Sequence, residues 1–262
     1  MSDAVLVTQS EGVRTLTLNR PGSLNAFSLD VMGVFADRLE EAAADPETRV
    51  VVITGAGNAF STGGDITFLR ELPTMPPARA KEVVYGIFQR APRAIRSMEK
   101  PVIAAVNGAA VGAGCEIALA CDFRVASETA RFGEVWIKLG CVPALGGMFL
   151  LPRIVGLTKA TELILTGEII DAQEALRIGL VNKVVPSADL PRAARELARI
   201  LARGPARALA VAKAALNRGL ASDLWAELET TVDAQIMCFA TRDFAEGVRA
   251  LLEKRQPKFT GE

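Results

Sequence analysis

Two short apolar runs, Val50 to Thr54 and Val102 to Val106, each lead straight into a turn rich in glycine and asparagine. A run with no polar alternation has no face to offer water, so each must be a strand covered on both sides. Helical segments separate them, and buried strands alternating with helices argue for α/β layers around a largely parallel sheet. Val13 to Leu18 alternates apolar and polar residues like a half-buried strand, and Phe123 to Ala126 is a shorter candidate. Asn19 to Gly22 reads as a turn, and Ser28 or Asp30 can cap a helix that runs to about Ala44. Residues 71–80, with Pro73, Pro76 and Pro77, read as a mobile connection. From Leu190 the chain turns helical: to about Arg218, then Ser222 to Ala240, then Asp243 to Lys254. The expected division is a core of residues 1–189 and a helical region of residues 190–262 for closure or oligomer packing.

Composition removes several classes of function. The 262 residues are half apolar and carry no formal net charge, which fits one large domain and disfavours nucleic acid as a partner. No apolar run reaches the roughly 18 residues of a membrane span, and no signal or transit character marks the start, so a soluble cytoplasmic protein is expected. Cys115, Cys121, Cys141 and Cys238 form no close pair, so neither a zinc site nor a redox pair is suggested. Histidine is absent altogether. That rules out Ser-His-Asp and Cys-His nucleophiles, and leaves acid–base chemistry to carboxylates above all.

Two segments point to specific chemistry. The first is Ala59-Phe60-Ser61-Thr62-Gly63-Gly64-Asp65-Ile66, and the second runs from Lys100 to Asp122 through Asn107-Gly108-Ala109-Ala110-Val111-Gly112-Ala113-Gly114-Cys115-Glu116. In each, a strand enters a glycine-rich turn and then a helix. Glycine lets a backbone approach a ligand closely, and a helix start presents unpaired N–H groups. Two such starts, if they converge, make an oxyanion hole. A thioester carbonyl becoming an enolate needs that hole, at about 3–4 kcal/mol per donor in the best-studied case.

Together these segments resemble the enoyl-CoA hydratase/isomerase (crotonase) family. Ala59 to Ile66 resembles its first oxyanion loop, and Lys100 to Asp122 its central signature. Phe132-Gly133, Leu139-Gly140, Pro143 and Leu151 to Gly156 resemble the next block; Thr166-Gly167, Ala172, Ala175 and Gly179 to Val181 the one after. The resemblance implies a crotonase-like α/β spiral of ββα units with a C-terminal helical trimerisation region, assembled as a homotrimer or homohexamer. It implies an acyl-CoA thioester as substrate and no further cofactor, coenzyme A being part of the substrate. By position, the N–H groups of Gly64 and Ala113 would form the hole, and Glu116 would be a catalytic acid/base. Asp65, Ile66 and Thr67 would line the acyl-CoA site, and the stretch from Ser23 to Ala26 would help to hold the coenzyme A moiety.

The pattern breaks at one place. The family's second glutamate falls on Trp136, whose indole cannot deliver a proton. Three readings follow. Glu134 could reach in, although in an extended segment it would share Trp136's face. Glu116 could act alone in hydrating or isomerising an enoyl-CoA. Or the site could run another enolate reaction, such as decarboxylation or C–C cleavage. The resembling aromatic-acyl dehalogenases also carry a tryptophan here, but they need an aspartate where this chain has Ala144, and a histidine. Trp136 could stack on a cyclic or bulky acyl group, or simply fill volume. A non-catalytic acyl-CoA binder is the alternative outside enzymology, and calorimetry beside a turnover screen separates it from the enzyme.

Overall fold

In the computed structural model, which describes residues 2–262, the apolar runs form the strands that their patterning predicts. The strands are β1 (Val5–Ser10), β2 (Val13–Leu18), β3 (Val50–Gly55), β4 (Ala59–Ser61), β5 (Val102–Val106), β6 (Ala109–Val111), β7 (Phe123–Ser127), β8 (Arg131–Gly133), β9 (Ile169–Asp171) and β10 (Lys183–Val185). The larger sheet has the order β1-β2-β3-β5-β7-β10 and is parallel except where β1 meets β2. The smaller has the order β4-β6-β8-β9 and is antiparallel only at β9.

One unit recurs along the chain. A long strand of the larger sheet breaks at a turn, continues as a short strand of the smaller sheet, and then enters a helix. β3, β4 and the helix Ile66–Glu71 make one such unit; β5, β6 and the helix Ala113–Ala120 make the next. β7 and β8 lead into the 3₁₀ helix Val135–Leu139. This is the expected spiral of ββα units.

The doubly apolar character of β3 has a direct cause. Val51 and Ile53 point into the main core with Phe27, Phe35 and Phe60, while Val50 and Val52 point to the opposite face. There they pack under Ala193, Ala194 and Ala198 of the helix Leu190–Ala202. The packed body therefore includes this first helix of the tail. The helix Leu29–Ala44 lies on the other side of the larger sheet, started by Ser28, whose side chain accepts from Val31 N–H.

Three local expectations are corrected. Residues 71–80 are ordered as a short 3₁₀ turn, Leu72–Thr74, and a helix, Pro77–Val83. Proline at a first helical position lacks only an N–H that would be unpaired anyway, so Pro77 begins a helix rather than preventing one. The helix expected to Arg218 is two, Leu190–Ala202 and Ala206–Gly219, interrupted at Gly204-Pro205. The Glu134 to Trp136 segment is not extended: Glu134 precedes the 3₁₀ helix Val135–Leu139, so the two side chains do not share a strand face. Among the described residues, no helix is long and apolar enough to cross a membrane.

Candidate active site

The first loop leaves β4 at Ser61 and is pinned from both sides. Phe27 N–H donates to Gly63 C=O at 2.7 Å, and Asp65 N–H donates to Phe27 C=O at 2.9 Å. Between these bonds Gly64 keeps its own N–H. Asp65 then starts the helix Ile66–Glu71 by accepting from Thr67 N–H at 2.9 Å, and its other oxygen takes Arg20 Nη1 at 3.1 Å. These contacts, the Thr67 N–H foremost, hold its carboxyl below the ordinary range. Asp65 is thus fixed in place as a cap. Ile66 and Thr67 are exposed beside it, and Ala26, whose C=O also accepts from Arg20, is buried.

The second loop is built on a glycine that nothing else can replace cheaply. Gly112 sits at φ 54°, ψ −123°, caps the helix Ala113–Ala120, and donates its N–H to Gly133 C=O at 2.8 Å. The two loops touch backbone to backbone. A methyl on Gly114 would lie 2.1 Å from Ser61 C=O, and one on Gly63 would lie 3.1 Å from Ala113 N. Among the described residues, neither Gly64 N–H nor Ala113 N–H donates to a protein acceptor. Two adjacent, unspent backbone donors at loop-to-helix turns are what an oxyanion requires.

Glu116 stands on the first turn of the same helix, fully buried. Its Oε1 accepts from Leu145 N–H at 2.7 Å and from Gly147 N–H at 2.9 Å, and its Oε2 accepts from Trp136 Nε1–H at 3.1 Å. Burial pushes its carboxyl up to about 7, and the three N–H groups offset part of that rise. A group poised there exchanges protons readily near neutrality. Trp136 lies across both halves of the site, because a methyl on Gly112 would meet its ring at 3.5 Å.

Glu134 is buried as well, at 1 % exposure, and neither of its carboxyl oxygens has a hydrogen-bond partner. A methyl on Gly147 would lie 3.0 Å from Glu134 Oε1 and 3.2 Å from Glu116 Oε1, so both carboxyls border the same spot. Burial, and then the charge of Glu116, push Glu134 well above the carboxylate range. The nearby Cys115 thiol is too weak a donor to reverse this and is itself pushed up by burial. Burial and the neighbouring charge both favour the neutral form of Glu134 over the charged one.

The model for enoyl-CoA hydratase/isomerase matches residues 8–262 of the chain. The chain belongs to the enoyl-CoA hydratase/isomerase family. It is 42% identical to a crotonyl-CoA hydratase of Syntrophomonas wolfei over 257 residues, covering 97% of each chain. It is 37% identical to a 1,2-epoxyphenylacetyl-CoA isomerase of Escherichia coli over 261 residues, covering all of both. The crystal structure of an enoyl-CoA hydratase from Bacillus anthracis superposes with a TM-score of 0.93 at 36% identity, covering 99% of this chain and all of the other. Such relatives make this chain an enzyme of the hydratase/isomerase family with the crotonase fold.

Within this candidate site, the structure brings together Gly64, Ala113, Glu116, Glu134 and Trp136, with Asp65 behind the first loop. Sequence reasoning missed that the N–H groups of Leu145 and Gly147 hold the Glu116 carboxylate, and that Asn25, within the Ser23 to Ala26 stretch, fixes a turn. Asn25 is buried at φ 57° and donates to Ala56 C=O and Ala59 C=O at 2.9 and 2.7 Å, fixing the turn that starts the first loop. An asparagine in a turn was the available signal for it. Backbone donors 29 and 31 residues from their acceptor leave no trace in composition.

Proposed function

We propose that this chain binds an enoyl-CoA thioester and transfers a proton on it, with Gly64 and Ala113 N–H holding the carbonyl oxygen and Glu116 carrying the proton. One observation supports this above all. Two unspent N–H groups sit on loops in mutual contact, and one of those loops leads within a single helical turn to a buried carboxyl poised near 7. Ala26, Asp65, Ile66 and Thr67 flank the first donor and line the acyl-CoA path.

In hydration, Glu116 as carboxylate takes a proton from water while the water oxygen bonds to Cβ. The C=C electrons move onto the thioester, and the resulting enolate oxygen is met by the two N–H groups. Glu116 then returns the proton to Cα and the carbonyl reforms. Glu134, enclosed and with its neutral form favoured, does not share the base's role. Trp136 presents a broad apolar ring to the acyl chain, which suits a cyclic or bulky group.

Isomerisation is the second reading, and Trp136 favours it. With the neutral form of its neighbour Glu134 favoured and Trp136 on its other oxygen, Glu116 can take a proton from Cγ and deliver it to Cα, moving the double bond with nothing added. Incubation with linear, cyclic and aromatic enoyl-CoAs, with products weighed by mass spectrometry, decides. A gain of one water is hydration, and an unchanged mass with altered retention is isomerisation. Loss of carbon dioxide from a malonyl-type acyl-CoA added to the panel would mean decarboxylation, and tight binding without turnover would make the chain an acyl-CoA binder. Full activity in Glu116→Gln would overturn the role of Glu116.

The proposal includes a homotrimer, or a hexamer of two trimers. The helix Leu224–Phe239 buries no residue within the chain, and Trp225 at 74% and Leu251 at 78% exposure leave an apolar face open. Light scattering reads the assembly directly.

A further inference from the structure

The segment 142–146 carries the peptide that holds Glu116, with Pro143 and Leu145 buried and Ala144 exposed between them. It has no regular structure, and its middle is tied by two side-chain bonds. One is Leu145 N–H to Glu116. The other comes from outside: Gln89 Nε2 donates to Ala144 C=O at 2.8 Å. Ala144 C=O and Leu145 N–H are the two ends of one peptide group. The bonds therefore form a line: Gln89 amide, peptide 144–145, Glu116 carboxylate.

Gln89 does not hang free. Arg93 Nη2 donates to its Oε1 at 2.8 Å, which turns the amide so that its NH₂ faces Ala144. Arg93 in turn lies over the ring of Tyr85, 3.9 Å from the centroid. Gln89 follows directly on the π-helical turn Val84–Phe88, an irregularity that shifts the register of the side chains after it.

We propose that Gln89 is a positioning residue for Glu116, acting through the peptide between Ala144 and Leu145. This deepens the proposed function and rests on Glu116 being its acid/base group. Gln89 fixes the peptide's orientation, so that Leu145 N–H stays aimed at the carboxylate. It also polarises the peptide, because a carbonyl that accepts a bond makes its own N–H a better donor. Both effects stabilise the charged carboxylate over the neutral acid.

The test is Gln89→Met, which keeps the side chain's length and removes its donor. Loss of the bond raises the carboxyl of Glu116 by roughly 0.3 of a pH unit, because a bond one step removed strengthens the next by only about 10–30%. The variant therefore loses up to about twofold in kcat near neutral pH and recovers the parent rate near pH 9, where Glu116 is ionised in both proteins. Arg93→Met, which frees the amide to turn over, gives a smaller change of the same sign. A merely structural role would lower the rate equally at every pH. A titration of 13C-labelled glutamate in the substrate-free protein, with the Glu116 signal assigned by its loss in Glu116→Gln, reads the same midpoint without turnover. If Glu116→Gln turns over normally, the acid/base reading fails while this titration still tests the Gln89 contact. Identical Glu116 midpoints in Gln89→Met and the parent protein would overturn the proposal.

Discussion

Glu116→Gln should make the protein more stable in alkali and less stable in acid. Burial lifts the Glu116 carboxyl from 4.5 to about 7. A folded-state value above the unfolded one means that the native protein keeps its proton longer. Native stability therefore falls as pH climbs past 4.5, and the loss is complete once pH exceeds about 7. That rise corresponds to on the order of 3 kcal/mol. Glutamine keeps an oxygen for Leu145 and Gly147 N–H but sets its NH₂ against the Trp136 indole N–H, two donors facing each other. The lost bond costs about 1 kcal/mol at every pH. The charge of Glu116 also pushes Glu134 up, so removing it acts in the same direction as removing Glu116's own ionisation. Urea unfolding at one fixed protein concentration, from about pH 3.5 to about pH 9, measures the difference. The variant should be about 1 kcal/mol less stable at the acid end, about 2 kcal/mol more stable at the alkaline end, and cross the parent a little above pH 5, soon after the unfolded carboxyl begins to ionise. Parallel stability curves would show that Glu116 ionises in solution without opposition from burial, and the case for a poised acid/base group would fail.

Other outcomes follow from the same contacts. Trp136→Phe removes the indole donor from Glu116 Oε2, so the pH–rate midpoint should move up by as much as one pH unit; an unmoved midpoint means that the bond does not favour the ionised form. Lys213, 7% exposed, joins Asp122 at 2.8 Å and the carbonyls of Ile95 and Lys100 at 2.9 Å each, tying a tail helix to the core. Lys213→Met should cost about 3 kcal/mol in unfolding experiments, since it leaves Asp122 with only Val102 N–H and no paired cation, and a change within experimental error would refute this. Gly114→Ala drives a methyl into Ser61 C=O, so the loops must part. Calorimetry should find acyl-CoA binding weakened by at least about tenfold, an outcome that an undisturbed hole would not give.

Much of this was legible before any coordinates. The apolar run at β3 announced a strand covered on both faces, and it has a core on each side. Ser28 capped the helix that its position suggested. The glycines at 63, 64, 112 and 114 marked loops that approach closely, as their contacts confirm. What could not be read depends on long-range placement. Leu145 and Gly147 act through backbone N–H groups, which every non-proline residue has. Glu134 was legible as a carboxyl able to reach in, but its complete burial was not, because burial is decided by what folds over it. The turn at Val135 to Leu139 was missed because alternation was assumed to continue where the chain instead coils.

The contact between Ser61 C=O and Gly114 has a consequence for how such a catalyst can change. No rotamer intervenes between the two loops, so their separation is set by bond lengths and sheet pairing. The carboxyl and indole groups beside them are side chains, which can be exchanged without moving that main chain. On the proposed roles, chemistry can therefore drift at residues 116, 134 and 136 while the hold on the thioester stays constant.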